Sequence, residues 1–187
     1  QILSPLHANR LGIGMVHQHF KLIEDFTVAQ NVTLGSEPRK FRFGYDLRRA
    51  DQLVDAVIKE HHFSIEASDK VSSLTVGQKQ QVEIIKMLYR NVDILILDEP
   101  TAVLTEQEIV PLFTTLRTLA DNGKSIILIT HKLQEIKNLS DRVAIMRQGR
   151  MVGEFITSEI DEREISRLMM GQSISLQVNK VPYSKEK

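Results

Sequence analysis

The chain contains no cysteine. No disulfide can staple it, no thiolate can ligate a metal or attack a substrate, and its redox compartment is unmarked. It also lacks a long apolar run, since nothing approaches the ~18–20 residues needed to cross a bilayer. If the protein works at a membrane, a partner must supply the spans. No secretory leader is visible at its start. Neither sign of charge is in excess, with 24 Lys+Arg against 24 Asp+Glu. A formally neutral chain offers no electrostatic argument for nucleic acid or for an anionic membrane surface. The first residue is Gln1 rather than Met, which leads us to expect further sequence upstream.

What is present fits a soluble globular fold. The 187 residues are 42% apolar and 26% charged, enough for one domain with a real core, or one domain with a subdomain. Three short aliphatic runs read as strands: Gly12-Ile13-Gly14-Met15-Val16, Asp93-Ile94-Leu95-Ile96-Leu97, and Ser125-Ile126-Ile127-Leu128-Ile129-Thr130. Near-continuous apolar strands are expected where a parallel sheet is covered by helices on both faces. Between the last two lies a helical pattern. Thr105 and Glu108 form a capping box, Leu112, Leu116 and Leu119 recur at helical spacing, and Gly123 follows the stop. Pro111 inside it should remove one backbone bond and bend the helix. Strand, helix, strand predicts a βαβ unit with a right-handed crossover.

Residues 20–90 differ in character. Thr27 with Gln30 starts a short helix, and Asp46 caps a longer one with Ala50, Leu53, Val54, Val57 and Ile58 on one stripe. A third runs from Gln78 to Arg90. Past the strands, Arg142–Arg147, Gln148-Gly149 and Arg150–Phe155 read as a hairpin. Asp161 with Glu164 caps a last helix that stops near Gly171. The polar tail 172–187 reads as a linker. The fold class expected is α/β, a parallel sheet flanked by helices. Residues 1–19 and 91–158 would form the core, 20–90 a helical subdomain, 159–171 a final helix and 172–187 a tail.

Several segments could carry chemistry. The strand Asp93–Leu97 delivers Asp98 and Glu99 to its C-terminal edge, where open α/β sheets place ligands. Asp98 can hold Mg²⁺, usually through water. Glu99 can orient or deprotonate an attacking water. The plainer reading is a strand that ends in a charged turn. In Ser73-Leu74-Thr75-Val76-Gly77-Gln78 a hydroxyl and a glycine precede a helix, an arrangement whose N–H groups can bind phosphate. The plainer reading is a helix capped by Thr75. His131 follows the third strand on the edge that carries Asp98 and Glu99, where an imidazole could bond a γ-phosphate. Otherwise it is a loop histidine, as His7, His61 and His62 are read. Gln18 after the first strand could add a neutral ligand to metal or water, or be a solvated amide.

Taken in order, these segments resemble the ABC ATPase family, and the likeness covers the chain to about Gly171. The family's order is Q-loop, helical insert, signature, Walker B, D-loop, H-loop. The corresponding residues are Gln18, residues 20–72, Leu74–Gln78, Asp93–Glu99, Ala102–Thr105 and His131. Gly14-Met15-Val16-His17-Gln18-His19-Phe20, Thr75-Val76-Gly77-Gln78 and Pro100-Thr101-Ala102-Val103-Leu104-Thr105 are similar to the bacterial nucleoside and simple-sugar importer ATPases. In that group two ABC halves commonly share one polypeptide, and this chain is similar to the first. Val76 stands where most ABC proteins have Gly, and Thr105 where they have Asp. Thr75 replaces the usual Ser and keeps a hydroxyl. Gln81 replaces the usual Arg, which puts helix positioning in doubt.

One part of the family pattern does not occur. The only Gly-Lys-Ser, Gly123-Lys124-Ser125, is preceded by Thr118 where the phosphate-binding loop G-x-x-x-x-G-K-[ST] needs Gly, and it leads into a strand instead of opening a helix. We read it as a helix stop. Without that loop and the helix behind it, apolar strand faces should be exposed. A nucleotide would also lack its main anchor, so the chain alone is expected to be inactive.

The resemblance implies an ATP-binding subunit, or part of one, of an importer for a small solute such as a nucleoside or simple sugar. Glu99 and His131 would be catalytic, with Gln18, Thr75, Gly77, Gln78 and Asp98 at ATP and Gln18 and Asp98 at Mg²⁺. Implied partners are a second ABC half or subunit, membrane permease subunits and, indirectly, an extracytoplasmic solute-binding protein, with no nucleic acid. The implied location is peripheral, on the cytoplasmic face of the cell membrane. Two other readings stay open: a catalytically incompetent module that completes a partner's site, and a soluble non-transport ABC ATPase.

Overall fold

The computed structural model describes residues 1–40 and 44–171, so the expected linker 172–187 lies outside the described residues. The elements are α1 (Pro5–Arg10), β1 (Ile13–Val16), α2 (Val28–Thr33), β2 (Arg39–Lys40), β3 (Gly44–Tyr45), α3 (Leu47–Glu60), α4 (Val76–Tyr89), β4 (Ile94–Asp98), α5 (Glu106–Asp121), β5 (Ser125–Ile129), α6 (Leu133–Leu139), β6 (Arg142–Arg147), β7 (Arg150–Ile156) and α7 (Glu162–Met170). They group into two compact units, one ending at His131 and the other beginning at Lys132.

In the first unit β1, β4 and β5 form a parallel sheet in the order β1-β4-β5. Ile13 pairs with Ile94 and Val16 with Leu97, while Leu95 pairs with Ile126 and Asp98 with Ile129. The strand–helix–strand unit β4-α5-β5 is therefore present with its strands adjacent. Its helix begins with the expected box, in which Glu108 Oε2 accepts from Thr105 N at 3.0 Å. It runs on through Pro111 and buries Leu112, Leu116 and Leu119. On one sheet face Val16, Leu95 and Leu97 are buried, and a Cβ at Gly14 would lie 2.7 Å from Met87 Sδ of α4. Only hydrogen at position 14 lets that helix approach so closely.

The other sheet face corrects the expectation of strands buried on both sides. Met15, Ile127 and Ile129 are 37%, 48% and 47% exposed. Period-2 alternation sends Ile13, Met15, Ile94, Ile96, Ile127 and Ile129 to this face, and it stays largely open. An aliphatic run reports the chemistry of both strand faces and not whether each is covered. The exposed apolar strand face expected in the absence of a phosphate-binding loop is thus observed.

The three expected helices of residues 20–90 are α2, α3 and α4, which pack on one another. Thr27 and Gln30 close a capping box on α2. Asp46 caps α3, whose Ala50, Val54 and Ile58 are buried, with Leu53 and Val57 half-buried. The box at the start of α4 joins Thr75 to Gln78. Sequence reading missed α1, although Ser4 caps it and Pro5 opens it, both start signals. His7 belongs to that helix and not to a loop. Also missed were α6, whose cap residue Lys132 makes no capping bond, and the two-residue strands β2 and β3.

The second unit holds α6, the hairpin β6–β7 and α7. Gln148 and Gly149 turn the hairpin at φ 50° and 72°, the left-handed pair that a two-residue turn needs. β7 runs one residue beyond Phe155, and a bulge falls between Ile145 and Met146. α7 is capped by Asp161 and ends at Gly171 in the left-handed region. Ile136, Val143, Ile145, Ile160 and Ile165 form this unit's own core.

Candidate functional site

Glu99 follows the last residue of β4, at the C-terminal edge of the sheet. Its φ is 44°, a left-handed conformation uncommon for a side chain of this size. Two backbone bonds hold it there. Glu99 N–H donates to Ile129 O at 2.9 Å, and Ala102 N–H donates to Glu99 O at 3.1 Å. The turn aims the carboxylate at residues from the neighbouring strands' ends. Gln18 Nε2 donates to Glu99 Oε2 at 3.1 Å, and His131 Nδ1 lies 2.9 Å from Glu99 Oε1. A carboxylate in this contact only accepts, so Nδ1 carries the hydrogen.

The parallel register explains the convergence. Gln18 follows β1, Glu99 follows β4 and His131 follows β5. Because the strands run in parallel, all three exits lie on one edge. The His131 side chain is 65% exposed and that of Glu99 30%, so the cluster is open to solvent. Asp98 precedes Glu99 as the final β4 residue and is half-buried. Gln18 and His131 each bond to Glu99, so the three strand exits meet at one carboxylate.

Thr75, Gly77 and Gln78 bond elsewhere. Thr75 Oγ1 accepts from Gln78 N–H at 3.2 Å, and Gln78 Oε1 accepts from Thr75 N–H at 2.9 Å. Gly77 N–H donates to Glu108 Oε1 at 3.0 Å, which ties the start of α4 to the first turn of α5. The Glu108 carboxyl is held below the usual glutamate range, chiefly by the Thr105 backbone N–H, then by the Thr105 hydroxyl and the Gly77 N–H. Beside this junction is a cleft of about 130 Å³. A larger one, about 550 Å³, is lined by Phe26, Gln30, Leu34, Glu37, Arg39 and Tyr45 and contains none of the expected site residues. Sequence reading named the capping box of Glu108 but missed its second role at Gly77, a pairing 31 positions apart that no local pattern reveals.

Among the described residues no group of three or more His, Asp or Glu side chains could hold a metal on protein ligands alone. Mg²⁺ takes one or two carboxylates and completes its shell with water and phosphate oxygens, and Asp98 is a carboxylate at this edge, as the last residue of β4. The cradle of N–H groups that would hold a nucleotide's phosphates is a different matter, because no residues of this chain match that loop.

Comparison with known proteins gives the family. The ABC transporter family model matches residues 3–102, and that of the bacterial DnaA ATPase domain matches residues 55–152. The chain is 45% identical over 172 residues to the nucleoside import ATP-binding protein NupA of Lactococcus lactis subsp. cremoris, covering 92% of this chain and 34% of that protein. It is 46% identical over 179 residues to the guanosine import ATP-binding protein NupO of Bacillus subtilis, covering 96% of this chain and 35% of that protein. Ribose import ATP-binding protein RbsA 3 of Rubrobacter xylanophilus is 41% identical over 172 residues, covering 91% and 34%. The chain therefore belongs to the ABC transporter family. It spans about a third of the length of the curated relatives it matches.

The solved structures carry the same fold. The ADP conformation of an ATP-binding cassette of an ABC transporter superposes with a TM-score of 0.70 at 20% identity, covering 90% of this chain and 68% of that one. CbiO1 from Clostridium perfringens, part of the ABC transporter complex cbiONQ, gives 0.68 at 24% identity, covering 94% and 68%.

Proposed function

We propose that this chain is part of the ATP-binding subunit of an ABC importer that couples ATP hydrolysis to uptake of a small solute, a nucleoside or simple sugar. The observation that carries the reading is the Gln18–Glu99–His131 cluster, with side chains from three adjacent strand exits meeting at 3.1 and 2.9 Å. The named roles of relatives at 45% and 46% identity support the solute class. No helix among the described residues is long and apolar enough to cross a membrane, so permease subunits would supply the spans. A second ABC half and an extracytoplasmic solute-binding protein complete the partners, and the site of action is the cytoplasmic face of the membrane. Within the chain, residues 1–19 and 91–158 would serve as the ATPase core and 20–90 as the helical subdomain.

Each residue then has a role that its chemistry permits. Glu99 accepts a proton from, or orients, the attacking water. Gln18 and His131 fix the rotamer of that carboxylate, and His131 would stabilise charge developing on the γ-phosphate by turning its Nδ1–H from Glu99 to the phosphate oxygen. Asp98 and Gln18 would hold Mg²⁺, which when bound neutralises phosphate charge. Thr75, Gly77 and Gln78 would face the nucleotide held by the partner half. In the complete protein, Glu99→Gln should lower ATPase turnover about 100-fold or more while leaving nucleotide binding in place. Turnover near wild type would sink the assignment.

A second reading rests on the lack of a phosphate-binding loop among these 187 residues. On it, the chain only completes a partner's site. Titration of ATP against the chain by itself separates the two readings, because tight binding would exclude this second one.

A further inference from the structure

The start of α4, the segment expected to face a partner's phosphate, is closed in this structure. Gln78 N–H is taken by Thr75 Oγ1, and Thr75 N–H by Gln78 Oε1. Gly77 N–H is taken by Glu108 Oε1 at 3.0 Å. The first two bonds belong to one local box. The third is of another kind, because its acceptor is an anion and comes from a different helix.

That anion occupies the place a phosphate oxygen would need. Backbone N–H groups in the first turn of a helix attract negative charge, and one carboxylate can satisfy them as a phosphate does. Glu108 divides its two oxygens between two helices. Oε2 caps α5 through Thr105 N and Oγ1, at 3.0 and 2.9 Å, and Oε1 reaches α4. The approach is close enough that a Cβ on Gly77 would meet Oε1 at 2.7 Å. Beside the contact, the cleft of about 130 Å³ is lined by Thr75, Gly77, Gln78, Gln80 and Glu108. Gln80 is 3% exposed, and its Nε2 donor has no acceptor. Gln81, one position on and about 100° around the helix, leaves an acceptor unpartnered instead.

We propose that Glu108 is a displaceable internal anion: it holds the start of α4 closed, and the segment accepts a phosphate only when Oε1 releases Gly77. The proposal rests on the reading of Thr75–Gln78 as the phosphate-facing segment and adds how that segment is regulated. Release does not cost Glu108 its other contact, since Oε2 can stay on Thr105 while the side chain swings. The arrival of phosphate at α4 is thereby linked to the first turn of α5, and through the turn 99–105 to the Glu99 end of β4.

The test uses the 187-residue chain and inorganic triphosphate, followed by the NMR shifts of the Gly77 and Gln78 backbone amides and the Gln80 side-chain NH₂. Glu108→Gln removes the charge and keeps an oxygen for the Thr105 cap, and Glu108→Ala removes both. Glu106→Gln removes a neighbouring charge in the same turn and serves as the control. We expect triphosphate to bind Glu108→Gln about threefold or more tightly than wild type, with Glu106→Gln close to wild type. A gain of affinity is an effect that loss of a merely structural cap would not produce. Equal or weaker binding by both Glu108 variants, with the same resonances moving, would overturn the proposal and spare the reading of the segment. If triphosphate moves none of these resonances in any variant, the reading of the segment itself falls.

Discussion

Asn31 has a polar side chain and core burial, at 1% exposed. Its Nδ2 donates to Ile23 O at 3.0 Å and to Thr27 O at 3.1 Å, and its Oδ1 accepts from Ile23 N–H at 2.7 Å. One amide thus satisfies three backbone groups in the loop that leads from the first strand into α2. Asn31→Ala would strip Ile23 N–H of its acceptor, while Ile23 O and Thr27 O keep the backbone N–H groups of Phe26 and Asn31, so the expected cost is about 1–3 kcal/mol. The expected outcome is a lower urea midpoint at unchanged slope. A midpoint within error of wild type would show that water replaces the amide at no cost. At the same scale, Glu99 depends on its strained backbone, and the two bonds to Ile129 and Ala102 explain how that φ is tolerated.

At the scale of elements, helix starts organise the first unit. α2, α4 and α5 each begin with a reciprocal box, and Glu108 serves two of the three. A carboxyl held below its ordinary value of 4.5 favours the folded state while it is ionised. That contribution is complete above the unfolded value and is lost as pH falls through the lower folded value. The difference in urea midpoint between wild type and Glu108→Gln should therefore be present at pH 7 and shrink on acidification below about 4.5. A difference independent of pH would mean that the ionised carboxylate contributes nothing at this junction. The boxes themselves were legible, since Thr-x-x-Gln and Thr-x-x-Glu stand in the sequence. The bond from Gly77 to Glu108 was not, because it depends on how α4 and α5 pack.

The whole molecule consists of two units, each with its own apolar core. Ile165 is fully buried within the second core, against Ile136, Val143, Ile145 and Ile160. Ile165→Ala should cost that unit about 2–5 kcal/mol. Amide exchange should speed up across β6, β7 and α7 while β4 and α5 keep their protection. Equal acceleration in both units would show that they unfold as one. The first unit differs in leaving one face of its sheet open, with Ile127 and Ile129 about half exposed.

The sequence by itself determined the types of the sheet strands, the capped helices and the hairpin, though not of α1, α6, β2 and β3, and it determined the order of the segments that carry chemistry. Aliphatic runs, capping pairs and turn glycines are local, and their physics is settled within a few residues. The resemblance that located Gln18, Glu99 and His131 was likewise written in ordered short motifs. Only the tertiary structure decided which of these residues meet. The parallel register brought three strand exits to one edge and bonded Gln18 and His131 to Glu99, while α4 gave its glycine N–H to Glu108. It also decided that one face of the aliphatic strands is covered and the other is not. Burial and pairing depend on what packs alongside, and a single sequence records that only indirectly.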